Sequence, residues 1–253
     1  MMILASDFDG TLNQGGVSET DREAIRRFRE AGHRFGLVSG RDWTFPDYLR
    51  EIGIEVDFIL VCSGAIGLDG QGNVLYEFRG PCGDAVSGVV SLFGDRYDQP
   101  VGVCVGCRRF DFHSRYPGGN REKGYLPLSR LTDFPEFTVL YARTNKQSEG
   151  GVATADVQRL YGEYITPLHN SVFIDMPPRG MDKATGLLRY AELAGVPEEK
   201  IWTVGDNLND LSMVKRFHGC AVSSGNELLR SEAQHVVDHV SDVIALMEED
   251  ERR

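Results

Sequence analysis

The stretch Ile3-Leu4-Ala5-Ser6-Asp7-Phe8-Asp9-Gly10-Thr11 decides how the rest of the chain is read. A short apolar run is followed at once by two aspartates flanking a phenylalanine, and then by Gly-Thr. The run has the length of a fully buried strand, the kind found in parallel sheets. Asp7 and Asp9 therefore stand at the carboxyl end of a strand, the edge at which open α/β sheets bind ligands. Alternate residues of an extended segment point to opposite faces, so the two carboxylates converge only if the chain turns, and Gly10 permits that turn. Two like charges about 4 Å apart repel by roughly 4 kcal/mol at an effective dielectric of 20, so a converging pair calls for a cation or a shared proton. An ordinary Asp-Gly turn accounts for Asp9 and Gly10 as well.

Outward from this segment, short apolar runs alternate with amphipathic helical patterns, the signal of βαβ units and a parallel sheet. Ser18 and Asp21 read as a capping box, and Ala24, Ile25, Phe28 and Ala31 recur on one helical face. A strand over 34–39, a helix over 43–52 and a third apolar run over 57–62 follow. Leu68-Asp-Gly-Gln-Gly-Asn-Val then reads as a hairpin turn. The rhythm changes after that, with strands over 101–105 and 137–141 and a helix around 154–161. Pro177-Pro178 marks the end of this segment, because proline continues neither a ladder nor a helix. Ala184, Leu187, Leu188 and Ala191 next follow the spacing of a core-facing helix, and strands are expected over 201–204, 219–222 and 236–237. The expected fold is α/β, a Rossmann-like parallel sheet built from residues 1–80 and 177–253, with an α+β insert of residues 81–176.

Three further segments fall at strand ends or helix starts of this pattern. Gly205-Asp206-Asn207-Leu208-Asn209-Asp210 places two carboxylates one helical turn apart, and hard oxygen ligands from separate strands are what Mg²⁺ prefers. N-capping by Asp206 is the plainer reading of the same residues. Ser39-Gly40-Arg41 offers a hydroxyl and backbone N–H groups of the kind that hold phosphate oxygens, or a simple cap. Lys183 opens a helix and supplies a point positive charge, though a lone lysine there is commonly solvated.

Taken in order, Asp7-Phe8-Asp9-Gly10-Thr11, Ser39-Gly40-Arg41, Lys183 and Gly205-Asp206-x-x-Asn209-Asp210 resemble the four motifs of the haloacid dehalogenase superfamily. The place of the insert resembles the Cof-type branch, subclass IIB, whose C2-type cap lies between the second and third motifs. Ser223-Ser224-Gly225-Asn226 is similar to a further family segment. Ser63-Gly64-Ala65 stands where that branch usually has Asn-Gly-Ala, and Ser39 where threonine is commoner. The resemblance implies a Mg²⁺-dependent phosphatase acting on a small phosphorylated metabolite, a sugar phosphate or a phosphorylated organic acid, through a phospho-aspartyl intermediate. It implies Asp7 as nucleophile and Asp9 as acid and base, with Ser39 and Lys183 completing the catalytic set. Gly10, Gly40, Arg41 and Asn209 would contact phosphate or substrate. Asp7, Asp9 through its carbonyl, and Asp206 would hold the metal, with Asp210 ligating directly or through water. A phosphomutase or phosphotransferase of the same fold is the alternative, as is a phosphate-responsive sensor without turnover; the retained Asp9 argues against the sensor.

Composition bounds the partners. The 253 residues carry a formal charge of −11, which argues against general nucleic-acid binding because neutralising phosphates takes clustered Lys and Arg. No stretch approaches the roughly 18 apolar residues of a membrane span, so no membrane is expected. Five cysteines, an odd number, do not read as a secreted disulfide framework, and a reducing cytoplasm is expected. Cys104-x-x-Cys107 lacks a second ligand pair for zinc and reads as two thiols in a strand and its turn. His235 and His239 are read as one helix face, without the H-E-x-x-H pattern of a metal site. In the insert, Arg108, Arg109, His113, Arg143, Asn145 and Lys146 are the polar candidates for choosing a substrate, or ordinary surface. Oligomeric state leaves no mark on the sequence.

Overall fold

A computed structural model gives the fold and describes residues 1–252. The chain opens with strand β1 (Ile3–Ser6), helix α1 (Glu19–Glu30), β2 (Arg34–Val38), helix α2 (Phe45–Glu51), β3 (Phe58–Val61), β4 (Ile66–Asp69) and β5 (Val74–Glu77). All four residues of β1 are buried, the apolar Ile3, Leu4 and Ala5 together with Ser6. Helix α1 starts where Ser18 Oγ accepts from the Asp21 backbone N–H at 3.0 Å, and it buries Ala24, Ile25 and Phe28. Ala31, expected on the same face, is exposed instead: it is the C-cap, where the helix has already stopped.

The segment that follows holds β6 (Gly80–Pro81), helix α3 (Gly83–Tyr97), β7 (Val101–Val105), β8 (Arg108–Phe112), β9 (Glu136–Phe137), β10 (Val139–Arg143), helix α4 (Gln147–Tyr161), β11 (Leu168–Asn170) and β12 (Phe173–Met176). Five of these strands form one sheet in the order β11-β12-β10-β7-β8, its pairings antiparallel, while β6 and β9 pair separately. The single strand expected over 137–141 is thus two strands in two sheets. Thr138 marks the division, its hydroxyl accepting from Gly106 N–H and donating to Glu77. Cys104 lies buried in β7, and Cys107 is exposed in the tight connection to β8. Val89, Phe93, Val103, Phe112, Leu140 and Ile174 are among the residues of a core that belongs to this segment alone.

The last part contains helix α5 (Lys183–Ala194), β13 (Ile201–Gly205), α6 (Leu211–Arg216), β14 (His218–Val222), α7 (Glu227–Glu232), β15 (His235–Val237) and α8 (Val240–Glu251). It returns to the first part, and together they build a sheet in the order β15-β14-β13-β1-β2-β3-β4-β5. Every pairing from β15 to β3 is parallel, and β4 turns back antiparallel to β3. Helix α5 packs closely here because residue 186 is glycine: a Cβ there would lie 2.6 Å from the Gly64 backbone.

The chain accordingly divides into two compact units, Met1–Tyr76 with Lys183 onward, and Glu77–Asp182. The residues after Pro177-Pro178 still belong to the second unit. Pro178 bridges to Ile165, and Gly180 N–H donates to Thr166 Oγ1 at 2.8 Å. His235 and His239 share no helix: the first is in β15 and the second precedes α8 as its N-cap. The His235 ring instead stacks with Trp202, the centroids 6.0 Å apart. Among the described residues, no helix is long and apolar enough to cross a membrane.

Candidate active site

β1 lies between β13 and β2, so chain connections diverge on either side of it and leave a crevice at the carboxyl edge. Three of the expected segments leave the sheet there: Asp7 directly after β1, Ser39 after β2 and Asp206 after β13. Lys183 joins them from the first turn of α5.

The centre of the site is a buried ion cluster. Lys183, with no solvent exposure, places Nζ 2.5 Å from Asp7 Oδ1 and 2.5 Å from Asp210 Oδ1. The other oxygen of Asp210 accepts from the backbone N–H groups of Asp206 and Asn207, each at 3.0 Å. Asp206 in turn accepts from Thr11 Oγ1 at 3.1 Å. Gly10 makes this last approach possible: its φ is +88°, and a Cβ there would fall 2.5 Å from Asp206 Oδ2.

The electrostatics of the cluster follow from its charges and its dryness. Burial pushes the Asp7 carboxyl well above the ordinary aspartate value; Lys183 opposes this, while Asp210 and Asp206 add to it. Burial also raises Asp206, again reinforced by Asp210. For Lys183 burial works against the cation, but Asp210 and Asp7 overcome it and hold the ammonium above the usual lysine value. Were all three carboxylates ionised, one ammonium would leave two negative charges uncompensated, so without a further cation Asp7 and Asp206 hold their protons more firmly.

That excess suits a hard divalent cation. Asp7, Asp206 and Asp210 each offer an oxygen, and these atoms lie within 4.8 Å of one another. The donor set is oxygen only, with neither thiolate nor imidazole to favour a softer metal. Next to Asp210, Asn209 is also buried, and its Oδ1 has no hydrogen-bond partner among the described residues.

Asp9 stands outside the ion cluster. Both its carboxylate oxygens accept from Arg41, Nε and Nη2 each at 2.7 Å, and the Asp9 side chain is 54% exposed. The pair is a fork-on-fork contact at the mouth of the site. Ser39 is buried, its Oγ accepting from Arg41 N–H at 3.1 Å, which makes it a cap of its own turn in this structure. Gly40 lies between them, partly buried. Cys62 and Ser63 have φ of 54° and 55°, a left-handed conformation that costs non-glycine residues energy. Their N–H groups donate to the Arg41 and Ser39 carbonyls, which ties the Ser63-Gly64-Ala65 segment to the Ser39 turn.

In the second unit, the polar candidates serve local structure. His113 is buried beside Asp98 at 3.4 Å, and Asn145 binds the Tyr97 carbonyl and the Gln99 amide. Arg109 pairs with Asp111, Arg143 lies over Phe173, and Arg108 and Lys146 are exposed. Sequence reasoning missed Thr11 as a partner of Asp206, and it missed Phe8, Phe45 and Tyr48, whose rings surround Arg41. The i, i+3 spacing of Phe45 and Tyr48 was the one available signal.

Residues 4–79 and 135–247 match the haloacid dehalogenase-like hydrolase family. A 5-amino-6-(5-phospho-D-ribitylamino)uracil phosphatase of Bacillus subtilis, YitU, is 45% identical over 244 residues, covering 88% of this chain and 86% of that protein. Among solved structures, a haloacid dehalogenase-like hydrolase from B. subtilis superposes with a TM-score of 0.78 at 19% identity, covering 98% of this chain and 99% of the other. The subclass IIB sugar phosphatase BT4131 gives 0.77 at 16% identity, with the same coverage. At such identities these two structures speak to the fold alone.

Proposed function

This chain belongs to the haloacid dehalogenase-like hydrolases, and from that membership we propose that it hydrolyses a small phosphomonoester through a covalent phospho-aspartate on Asp7. The observation that carries the proposal is the buried contact of Asp7 with Lys183 inside a carboxylate cluster that one ammonium does not neutralise.

A carboxylate attacking a phosphate dianion meets electrostatic repulsion, so cationic groups must stand in place before the reacting atoms approach. Lys183 is held cationic and fixed by Asp7 and Asp210, and its remaining ammonium proton is assigned to a phosphoryl oxygen. Asp7 and Asp206, with the Asp9 carbonyl, are assigned to Mg²⁺; Asp210, whose two oxygens already accept from Lys183 and two backbone amides, is assigned to holding that shell in place. When bound, the ion would supply charge neutralisation for the phosphoryl oxygens.

In the first half-reaction an Asp7 oxygen forms a bond to phosphorus as the bond to the leaving oxygen breaks, and Asp9 gives that oxygen its proton. In the second, water attacks the same phosphorus, Asp9 takes the proton from it, and the Asp7 carboxylate departs, leaving inorganic phosphate. Covalent capture splits one difficult displacement into two easier ones. Ser39, Gly40, Gly10 and Asn209 are assigned to the phosphoryl oxygens.

The unit Glu77–Asp182 is proposed to act as the cap that selects the leaving group, supported by its own core and by its place between Arg41 and Lys183 in the chain. By the likeness to YitU, a phosphorylated ribitylaminouracil heads the list of substrates to try, followed by sugar phosphates and phosphorylated organic acids. Incubating the purified protein with such a panel and Mg²⁺, and measuring released phosphate, tests the reading. Turnover by the wild type and its loss in Asp7→Asn is the expected result; undiminished turnover in the variant would sink it.

A further inference from the structure

The contact between Asp9 and Arg41 is more constrained than a pair at a solvent-exposed mouth needs to be. The Arg41 guanidinium carbon lies 5.1 Å from the Phe8 ring centroid, 5.2 Å from that of Phe45 and 4.8 Å from that of Tyr48. The rings brace one another, Phe8 edge-on to Phe45 at 5.0 Å and to Tyr48 at 5.9 Å. The backbone is fixed as well: Arg41 N–H donates to Ser39 Oγ, and Cys62 N–H donates to the Arg41 carbonyl at 2.8 Å. A surface arginine ordinarily retains much rotamer freedom. This one has little.

Asp9, by contrast, has its backbone set by the tight turn in which Asn13 N–H donates to the Phe8 carbonyl at 2.8 Å, while its side chain is steadied by Arg41 through both oxygens. On its other side Arg41 borders a cavity of about 390 Å³ lined also by Asp42, Thr44, Phe45 and Tyr48. A group that must meet a leaving oxygen at hydrogen-bond range depends on such external placement.

We infer that Arg41 is a positioning residue for Asp9: the three rings lock the guanidinium, and the locked fork fixes where the Asp9 carboxylate stands. The inference rests on the assignment of Asp9 to the leaving group made above. Shape is as important here as charge, because a lysine ammonium cannot present two parallel donors or keep its plane against an aromatic face. Phe8 links the two tasks, since its ring braces Arg41 and its backbone lies between Asp7 and Asp9.

Protonation of the leaving group matters greatly for an alkyl phosphate and little for p-nitrophenyl phosphate, whose leaving group departs readily as an anion. The test therefore measures kcat and KM on both substrates for wild type, Arg41→Met, Arg41→Lys and Asp9→Asn, with the folded state checked by circular dichroism. Arg41→Met and Asp9→Asn are each expected to lose about tenfold to a hundredfold more kcat on the alkyl than on the aryl substrate. Arg41→Lys should share the defect, and millimolar guanidinium should restore part of the alkyl activity of Arg41→Met. Should Arg41→Met fold poorly, Tyr48→Leu loosens the lock and is expected to shift the same ratio by a smaller factor. Equal losses on both substrates in the Arg41 variants, or full activity in Arg41→Lys, would overturn the positioning role while Asp9→Asn still shows its skewed ratio. A uniform effect of Asp9→Asn would instead overturn the assignment of Asp9, and this inference with it.

Discussion

Lys183 and Asp7, 176 residues apart in the chain, meet at 2.5 Å with neither side chain appreciably open to solvent. A buried ammonium is tolerable only when paired, and removing it strands the carboxylates it serves. Lys183→Met is expected to abolish turnover and to lower the unfolding free energy by about 3–5 kcal/mol, measured by urea denaturation. Unchanged stability would mean that the cluster takes up protons at no cost.

The raised Asp7 value couples the site to pH. In the folded protein Asp7 holds its proton more firmly than in the unfolded chain, so the stability this brings is complete below the ordinary carboxylate range and is lost as pH rises through the raised value. Without metal, the wild type should therefore lose Tm relative to Asp7→Asn as pH rises above the ordinary carboxylate range. Mg²⁺ competes with that proton, so its Tm increment should grow over the same rise in the wild type and be small in Asp7→Asn. Calorimetric scans with Mg²⁺ or with EDTA read both effects.

Gly10 carries two constraints at once, a positive φ and a carboxylate where a Cβ would stand. Gly10→Ala should destabilise by about 1–3 kcal/mol through backbone strain. It should also displace Asp206, lowering turnover by about a hundredfold and raising the Mg²⁺ concentration needed for half-activity. A variant with full activity at ordinary Mg²⁺ would show that Asp206 need not stand where it does.

All five cysteines are thiols, and only Cys107 is exposed. Burial pushes Cys82 up to about 11 and Cys220 up to about 12, which starves both of thiolate at neutral pH. Titration with an aromatic disulfide reagent should consume one thiol quickly and the other four only on unfolding, and Cys107→Ser should abolish the fast phase.

The sheet was legible in the sequence because a parallel strand covered on both faces is written as an apolar run, as in Ile3–Ala5 of the first strand and Phe58–Val61. The acidic cluster was legible for a related reason: strand ends on one edge of such a sheet are neighbours whatever their distance in the chain. Strands without a buried face left no pattern, and Leu168–Asn170, partly buried throughout, went unread. His235 and His239 misled because four-residue spacing fits a helix, whereas here it spans a strand end and a cap. Nor does spacing reveal that Arg41 would reach back 32 residues to Asp9 and be enclosed by Phe8, Phe45 and Tyr48. Such contacts exist only once the tertiary fold has formed.

The pairing of β1 with β13 has a further consequence for synthesis. One flank of β1 stays open on the ribosome until its partner emerges about 200 residues later, an interval of about 10–40 s at ordinary translation speeds. Throughout that time a largely apolar strand offers unmatched backbone groups to any neighbour, including a second nascent chain. The enzyme's most vulnerable moment would thus come before it is finished, and holding that first strand apart is a task for whatever chaperone meets the growing polypeptide.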